Sequence, residues 1–232
     1  MKAFHNDVEV QNKYLTRIRN HAKADEFVKG QYWRNGKGCA VGCTVHSSHH
    51  AAYETELGIP EWVARLEDRI FEGLPNSRAK LWPVEFLEAV HLGANLDSIK
   101  IPMLIFICEA AREKTDNKLA HDYIDGVLTE LKKDKLDLIA LQKAKLRRPP
   151  RYYAAAYAAD AAADAADAAA DAAAHADAAA YAAAAYAAYA AAAYAAADAA
   201  ADADAADADA AEYETEYVKF ADKLLELIKG CK

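Results

Sequence analysis

The chain has 232 residues, enough for one large domain or two small ones, and carries 36 acidic against 28 basic side chains. Its longest apolar run, "IPMLIFICEAA" at 101–111, is about half of the ~20 residues that a membrane span needs, and the polar start "MKAFHNDVEV" lacks a signal-peptide core, so a soluble, cytoplasmic protein without a membrane partner is expected. Residues 151–232 hold 15 acidic and 5 basic side chains (net −10), leaving 21 and 23 (net +2) for residues 1–150; so acidic a C-terminal part argues against a nucleic-acid partner.

Helix signals recur along the first 150 residues, while strand signals are nearly absent. Asn6 or Asp7 caps a first helix whose Val10, Tyr14 and Ile18 share one face, and Gly30 ends the segment after it. Gly36 to Gly38 open a second helix that runs to Gly58. Pro60 begins a third with Trp62, Val63, Leu66 and Ile70 inward, ended by Gly73. Pro83 starts a fourth, stopped by Gly93, and a fifth covers about 102–114. A sixth spans about 119–146 and ends at the "RRPP" of 147–150.

Composition then changes. Residues 152–211 contain only Ala, Asp, Tyr and one His, and neither Gly nor Pro falls between 151 and 229. Alanine has the highest helix propensity, and Tyr153, Tyr157, Asp160, Asp164, Asp167, Asp171 and His175 form one stripe. One unbroken helix over these residues would be roughly 90 Å long, so two or three antiparallel helices, broken near 175–180 and near 203–206, are expected. The Asp stripe reads as a solvated face. The closing segment "YVKFADKLLELIKG" is amphipathic, with Tyr217, Phe220, Leu224 and Leu227 or Ile228 inward and Gly230 at its end.

Chemistry concentrates in "GKGCAVGCTVHSSHH", residues 36–50. Four readings compete. On a continuous helix Cys39, Cys43, His46 and His50 would share a face, but Cys39 and His50 would lie roughly 16 Å apart along it, whereas zinc ligands sit only ~4 Å from one another. At most two of them could share an ion, and His21, His91 or His121 would have to complete the set. As a nucleophile, Cys39 in the first turn of a helix beside Lys37 would gain thiolate character, with His46 or His21 as base. As an anion cradle, Gly36 and Gly38 would let free helix N–H groups, notably those of Gly38 and Cys39, point outward. Lys29, Arg34 and Lys37 would add charge, and Tyr32 and Trp33 a stacking surface. As a packed corner, Gly38 and Gly42 would permit close approach, with Cys39 and Cys43 as small buried groups. All four cysteines, including Cys108 and Cys231, are expected to be reduced thiols.

The block "NGKGCAVGCTVHSSHHAAYETELGIPEWVARLEDRIFEGLP", with "WPVEFLEAV" after it, resembles an uncharacterised hypothetical protein family of bacteria and their phages, over residues from about 10 to 110. The alanine-rich half is similar in composition to the helical domain of immunity proteins. The resemblance implies a phage or bacterial setting, in which a small protein of this kind serves interaction or sequestration.

The sequence thus predicts an all-α protein: a helical domain with the Gly/Cys loop at 1–117, a connecting helix at 118–150 and an alanine-rich bundle at 151–232. The expected function is non-enzymatic binding of a small anionic, nucleotide-like ligand by Lys29, Tyr32, Trp33, Arg34, Lys37, Gly38 and Cys39, with no cofactor and no metal. The alternatives are a cysteine enzyme acting through Cys39 and His46, and a protein–protein inhibitor or immunity protein using its acidic surface. A homo-oligomer is the expected assembly.

Overall fold

The structure is a computed structural model and describes residues 1–114, 118–133 and 205–231. It divides into two compact units, Met1–Lys100 with Ala221–Lys232, and Ile101–Phe220. Apart from one two-stranded ribbon, the regular elements of the described residues are helical, and none of those helices is long and apolar enough to cross a membrane. The sequence-based boundary at 150 and the residue before the boundary at 118 lie outside the described residues, as do the Asp stripe, His175, the expected break near 175–180 and the far end of the sixth helix.

In the first unit a 3₁₀ turn at Ala3–Asn6 precedes α1, Val8–Lys23. Asp7 caps α1 by accepting the Glu9 amide at 2.8 Å. Tyr14, Ile18 and His21, stepping by four and three, are the buried residues of α1. The chain then forms a ribbon of β1, Trp33–Arg34, and β2, Lys37–Gly38, paired antiparallel with Trp33 opposite Gly38. Asn35 and Gly36 both take positive φ, 53° and 81°, as a two-residue hairpin turn of the Asn-Gly kind requires.

The expected helix from 36–38 to Gly58 is replaced by separate pieces. Helix α2 covers only Ala40–Val45, and His46 ends it in the left-handed region, φ 55° and ψ 38°. Ser47 supports the break, since its hydroxyl accepts the His49 amide at 3.2 Å and so offers the backbone an alternative to helix. A π-helical turn at Tyr53–Leu57 comes next. Cys39, Cys43, His46 and His50 therefore do not share a helical face.

Helix α3, Glu61–Gly73, buries Trp62, Val63, Leu66 and Ile70 as its stripe predicts, and also buries Glu67 and Asp68. A short α4 at Asn76–Ala79 and α5 at Trp82–Ala89 complete the set, with Pro83 in the first turn of α5. Helix α5 stops four residues before Gly93. Helix α1 packs on α5 and α2, and α2 on α3. The core contains Phe4, Tyr14, Tyr53, Trp62, Phe71, Trp82 and Phe86, all almost fully buried. Both core indoles have a partner: Trp62 donates to Asp97 at 3.2 Å and Trp82 to the Glu67 carbonyl at 3.0 Å.

The second unit contains α6, Lys100–Glu113, from its second residue on, and α7, Lys118–Leu131. A last helix, α8, covers Ala205–Lys229; its residues up to Phe220 belong to this unit and the rest to the first. Tyr217, Phe220, Leu224 and Ile228 are buried, as their spacing predicts. Within the second unit Phe106 meets Phe220 edge-on at 6.1 Å, and Arg112 forks onto Asp125 at 2.5 and 3.0 Å.

Candidate functional site

Gly38, the last residue of β2, and Gly42, in the first turn of α2, both face the Tyr32 carbonyl. A Cβ at either would overlap that carbonyl, well inside van der Waals contact. The glycines thus serve a close backbone approach of residues 31–33 to α2. The approach consumes the amides that an anion would need: Cys39 N–H donates to the Gln31 and Tyr32 carbonyls at 2.7 and 3.1 Å, and Gly38 N–H donates to the Glu26 carbonyl at 3.2 Å. The expectation of free, outward-pointing amides at Gly38 and Cys39 is corrected on this point. Helix α2 is also only six residues long, so little macrodipole is available at its start.

The remaining candidates separate. Strand alternation places Tyr32 and Arg34 on the face of the ribbon opposite Trp33. Tyr32, 49% exposed, meets His50 edge-on at 5.4 Å. Arg34 and Lys37 are exposed beside the hairpin turn. Lys29 donates to the Leu74 carbonyl, and the neighbouring Gly30 amide is taken by the Glu72 carboxylate at 2.9 and 3.0 Å. The carboxylate beside Lys29 weakens that lysine as an anion receptor.

Trp33 instead joins a surface array. Its indole stacks on the His46 imidazole with centroids 4.4 Å apart and planes 10° apart, and meets His21 edge-on at 5.6 Å. His21 Nε2 lies 2.8 Å from His46 Nε2, and His21 Nδ1 lies 2.6 Å from Glu26. With the Glu26 carboxylate accepting at Nδ1, the hydrogen of His21 sits there. Nε2 is then left to accept from the N–H of His46. A carboxylate–imidazole–imidazole chain results, running from Glu26 to the exposed His46. Partial burial, then the Arg17 charge, then His21, hold the His46 pKa below the usual imidazole value, so this ring is neutral near pH 7. Arg17 is itself fixed by donating to the Thr44 carbonyl near the end of α2 at 2.8 Å.

A second, buried cluster gathers Cys39, His50, Tyr53, Glu67 and Asp68. His50 Nε2 lies 3.3 Å from Asp68, and the Tyr53 hydroxyl donates to Glu67 at 3.3 Å. One oxygen of each carboxyl, Oε1 of Glu67 and Oδ1 of Asp68, is buried without a hydrogen-bond partner. Burial, then the charge of Asp68, raise the Glu67 pKa well above the usual carboxyl value. Cys39 is 1% exposed, and burial together with the nearby Asp68 charge pushes its thiol far above the ordinary range despite the Gly42 amide that it accepts. The Cys43 thiol is pushed up to about 12, mainly by burial. All four cysteines are free thiols and buried. The thiol of Cys39 thus has a carboxylate beside it and no activation, while His46 and His21 pair with each other.

Comparison with protein-family models, curated proteins and solved structures gives no match. The site is therefore read from its own geometry. Among the described residues no group of three or more His, Cys, Asp or Glu side chains could hold a metal ion. Sequence reasoning missed Arg17, Glu26 and the Glu67–Asp68 pair. The signal for Glu67 was present, because it falls four residues after Val63 and four before Phe71, on the inward stripe of α3.

Proposed function

We propose that the protein binds, without turnover, a small anionic ligand that carries a ring, nucleotide-like in chemistry, on the face bearing Trp33 and His46. The observation that carries this reading is the half-exposed indole stacked on an exposed imidazole, with the Arg17 charge close enough to depress the pKa of that imidazole. Trp33 covers one imidazole face, so a planar ligand would stack on the other, with its anionic group drawn to the nearby Arg17 charge. Arg34 and Lys37 supply long-range attraction from the turn of the same hairpin. In the bacterial or phage setting that the sequence block implies, such a ligand would be a nucleotide-derived signal held by sequestration.

Tryptophan fluorescence tests the reading selectively, since Trp62 and Trp82 are 1% and 0% exposed and only Trp33 is open to a quencher. Titration with nucleoside phosphates is expected to give saturable quenching. Arg17→Ala should weaken it about 10- to 100-fold, the loss of one charge-assisted contact, and Arg17→Lys less. Quenching that rises linearly without saturation, and equally in the Arg17→Ala variant, contradicts the reading.

A further inference from the structure

We infer that His21 and His46 form an open two-histidine site for a divalent late transition metal ion, with copper(II) held most tightly, then nickel and zinc.

The starting observation is the approach of two Nε2 atoms to 2.8 Å. Two imidazole nitrogens this close can reach one ion at metal–nitrogen bonds of about 2.0–2.1 Å once the rings turn toward it. Affinity for such nitrogen ligands rises from nickel to copper and falls again at zinc, which sets the order. The rings now meet as hydrogen-bond partners, centroids 5.1 Å apart and planes at 85°. Binding therefore requires one ring to pivot so that both lone pairs converge. His46 can pivot by giving up its hydrogen bond to His21 and its stack on Trp33: it is exposed, and it ends α2 at a left-handed turn with two serines after it.

Glu26 supplies the second element of the site. Its contact to His21 Nδ1 at 2.6 Å is the carboxylate–histidine arrangement that orients metal-binding imidazoles and raises their basicity. It fixes the tautomer in which His21 Nε2 carries a lone pair. Trp33 borders the pair, stacked on one ring and edge-on to the other, so its emission reports an ion bound there. Arg17 opposes a cation here, while Glu26 and Glu56 favour one. The step balances without redox change. The His46 N–H moves from Nε2 to Nδ1 through solvent, two metal–nitrogen bonds form, and two water molecules leave the aquo ion. The other coordination positions keep water.

The inference does not depend on the anionic-ligand reading, because the probe is the metal ion alone. Copper(II) chloride titrated into metal-free protein is expected to quench Trp33 at one equivalent, with nitrogen hyperfine structure in the electron paramagnetic resonance spectrum. His46→Asn, chosen because asparagine tolerates the left-handed backbone, should weaken copper binding at least 100-fold. Glu26→Gln should weaken it about 10- to 100-fold, with circular dichroism reporting that each variant is folded. Where His21→Gln fails to fold, paramagnetic broadening of the His21 and His46 ring signals in the unmutated protein gives the same answer. Copper affinity unchanged by His46→Asn, or broadening confined to other histidines, overturns the inference.

Discussion

Gly42→Ala is expected to destabilise the first unit by about 3 kcal/mol or more. Local propensity predicts the opposite sign, because an alanine in the interior of a helix gains about 1 kcal/mol over glycine. The Tyr32 carbonyl decides the outcome. A Cβ at Gly42 overlaps it, and the partner is backbone rather than the end of a flexible side chain. Residues 31–33 must move away, and with them the bonds from Cys39 N–H to the Gln31 and Tyr32 carbonyls are lost. Trp33 leaves His46 in the same movement, so the array at the surface dissolves together with the corner. Urea unfolding monitored by far-UV circular dichroism measures the first effect, and tryptophan emission at zero denaturant the second. Gly38→Ala should behave alike, since its Cβ meets the same carbonyl. A Gly42→Ala variant as stable as the parent contradicts the packing assignment.

Glu67→Gln is the second large effect and runs in the other direction at neutral and alkaline pH. Glu67 is fully buried, and its pKa stands well above that of an exposed carboxyl, chiefly through burial and then through Asp68. The folded state therefore keeps a proton that the unfolded state releases above its ordinary carboxyl pKa. Between the two pKa values the native state binds more protons, so stability is highest at acid pH and falls as pH rises toward the folded value. An amide at position 67 has no such proton to lose. It still accepts from Tyr53, and it carries no charge for burial and Asp68 to penalise. Glu67→Gln is thus expected to flatten the decline and to add roughly 1–3 kcal/mol near pH 8. Thermal unfolding between pH 5 and 9 checks both; a variant whose stability keeps the parent's pH slope contradicts the assignment.

The parts of the fold legible in the letters are those where periodic burial controls the structure. The stripes of α1, α3 and α8 were readable because each buries residues at helical spacing, and Tyr14, Ile18, Trp62, Leu66, Tyr217 and Phe220 lie where the pattern puts them. The stretch after Gly36 was not, for two reasons. Asn35–Gly36 is a strong hairpin signal, but strands of two residues each are too short for alternation to reveal. His46 in a left-handed turn ended α2 after six residues, a departure that side-chain spacing does not announce. The glycines were legible as devices for close approach, but their neighbour is a carbonyl from the preceding loop rather than another helix. Histidine pairing across 25 residues of chain depends on that corner, so the Glu26–His21–His46 chain could not be read before the fold. Arg17 was hidden by the commonest assumption about a basic residue on an amphipathic helix, that it faces water.

Long-range proton–nitrogen spectra of the imidazoles test the surface array most directly. The geometry predicts His21 protonated at Nδ1 with Nε2 accepting, His46 protonated at Nε2, and a nitrogen–nitrogen coupling through the hydrogen bond that joins them. His46 should titrate below the ordinary imidazole range. Absence of that coupling, with His46 titrating at or above the ordinary value, would contradict the array and with it both proposals built on it.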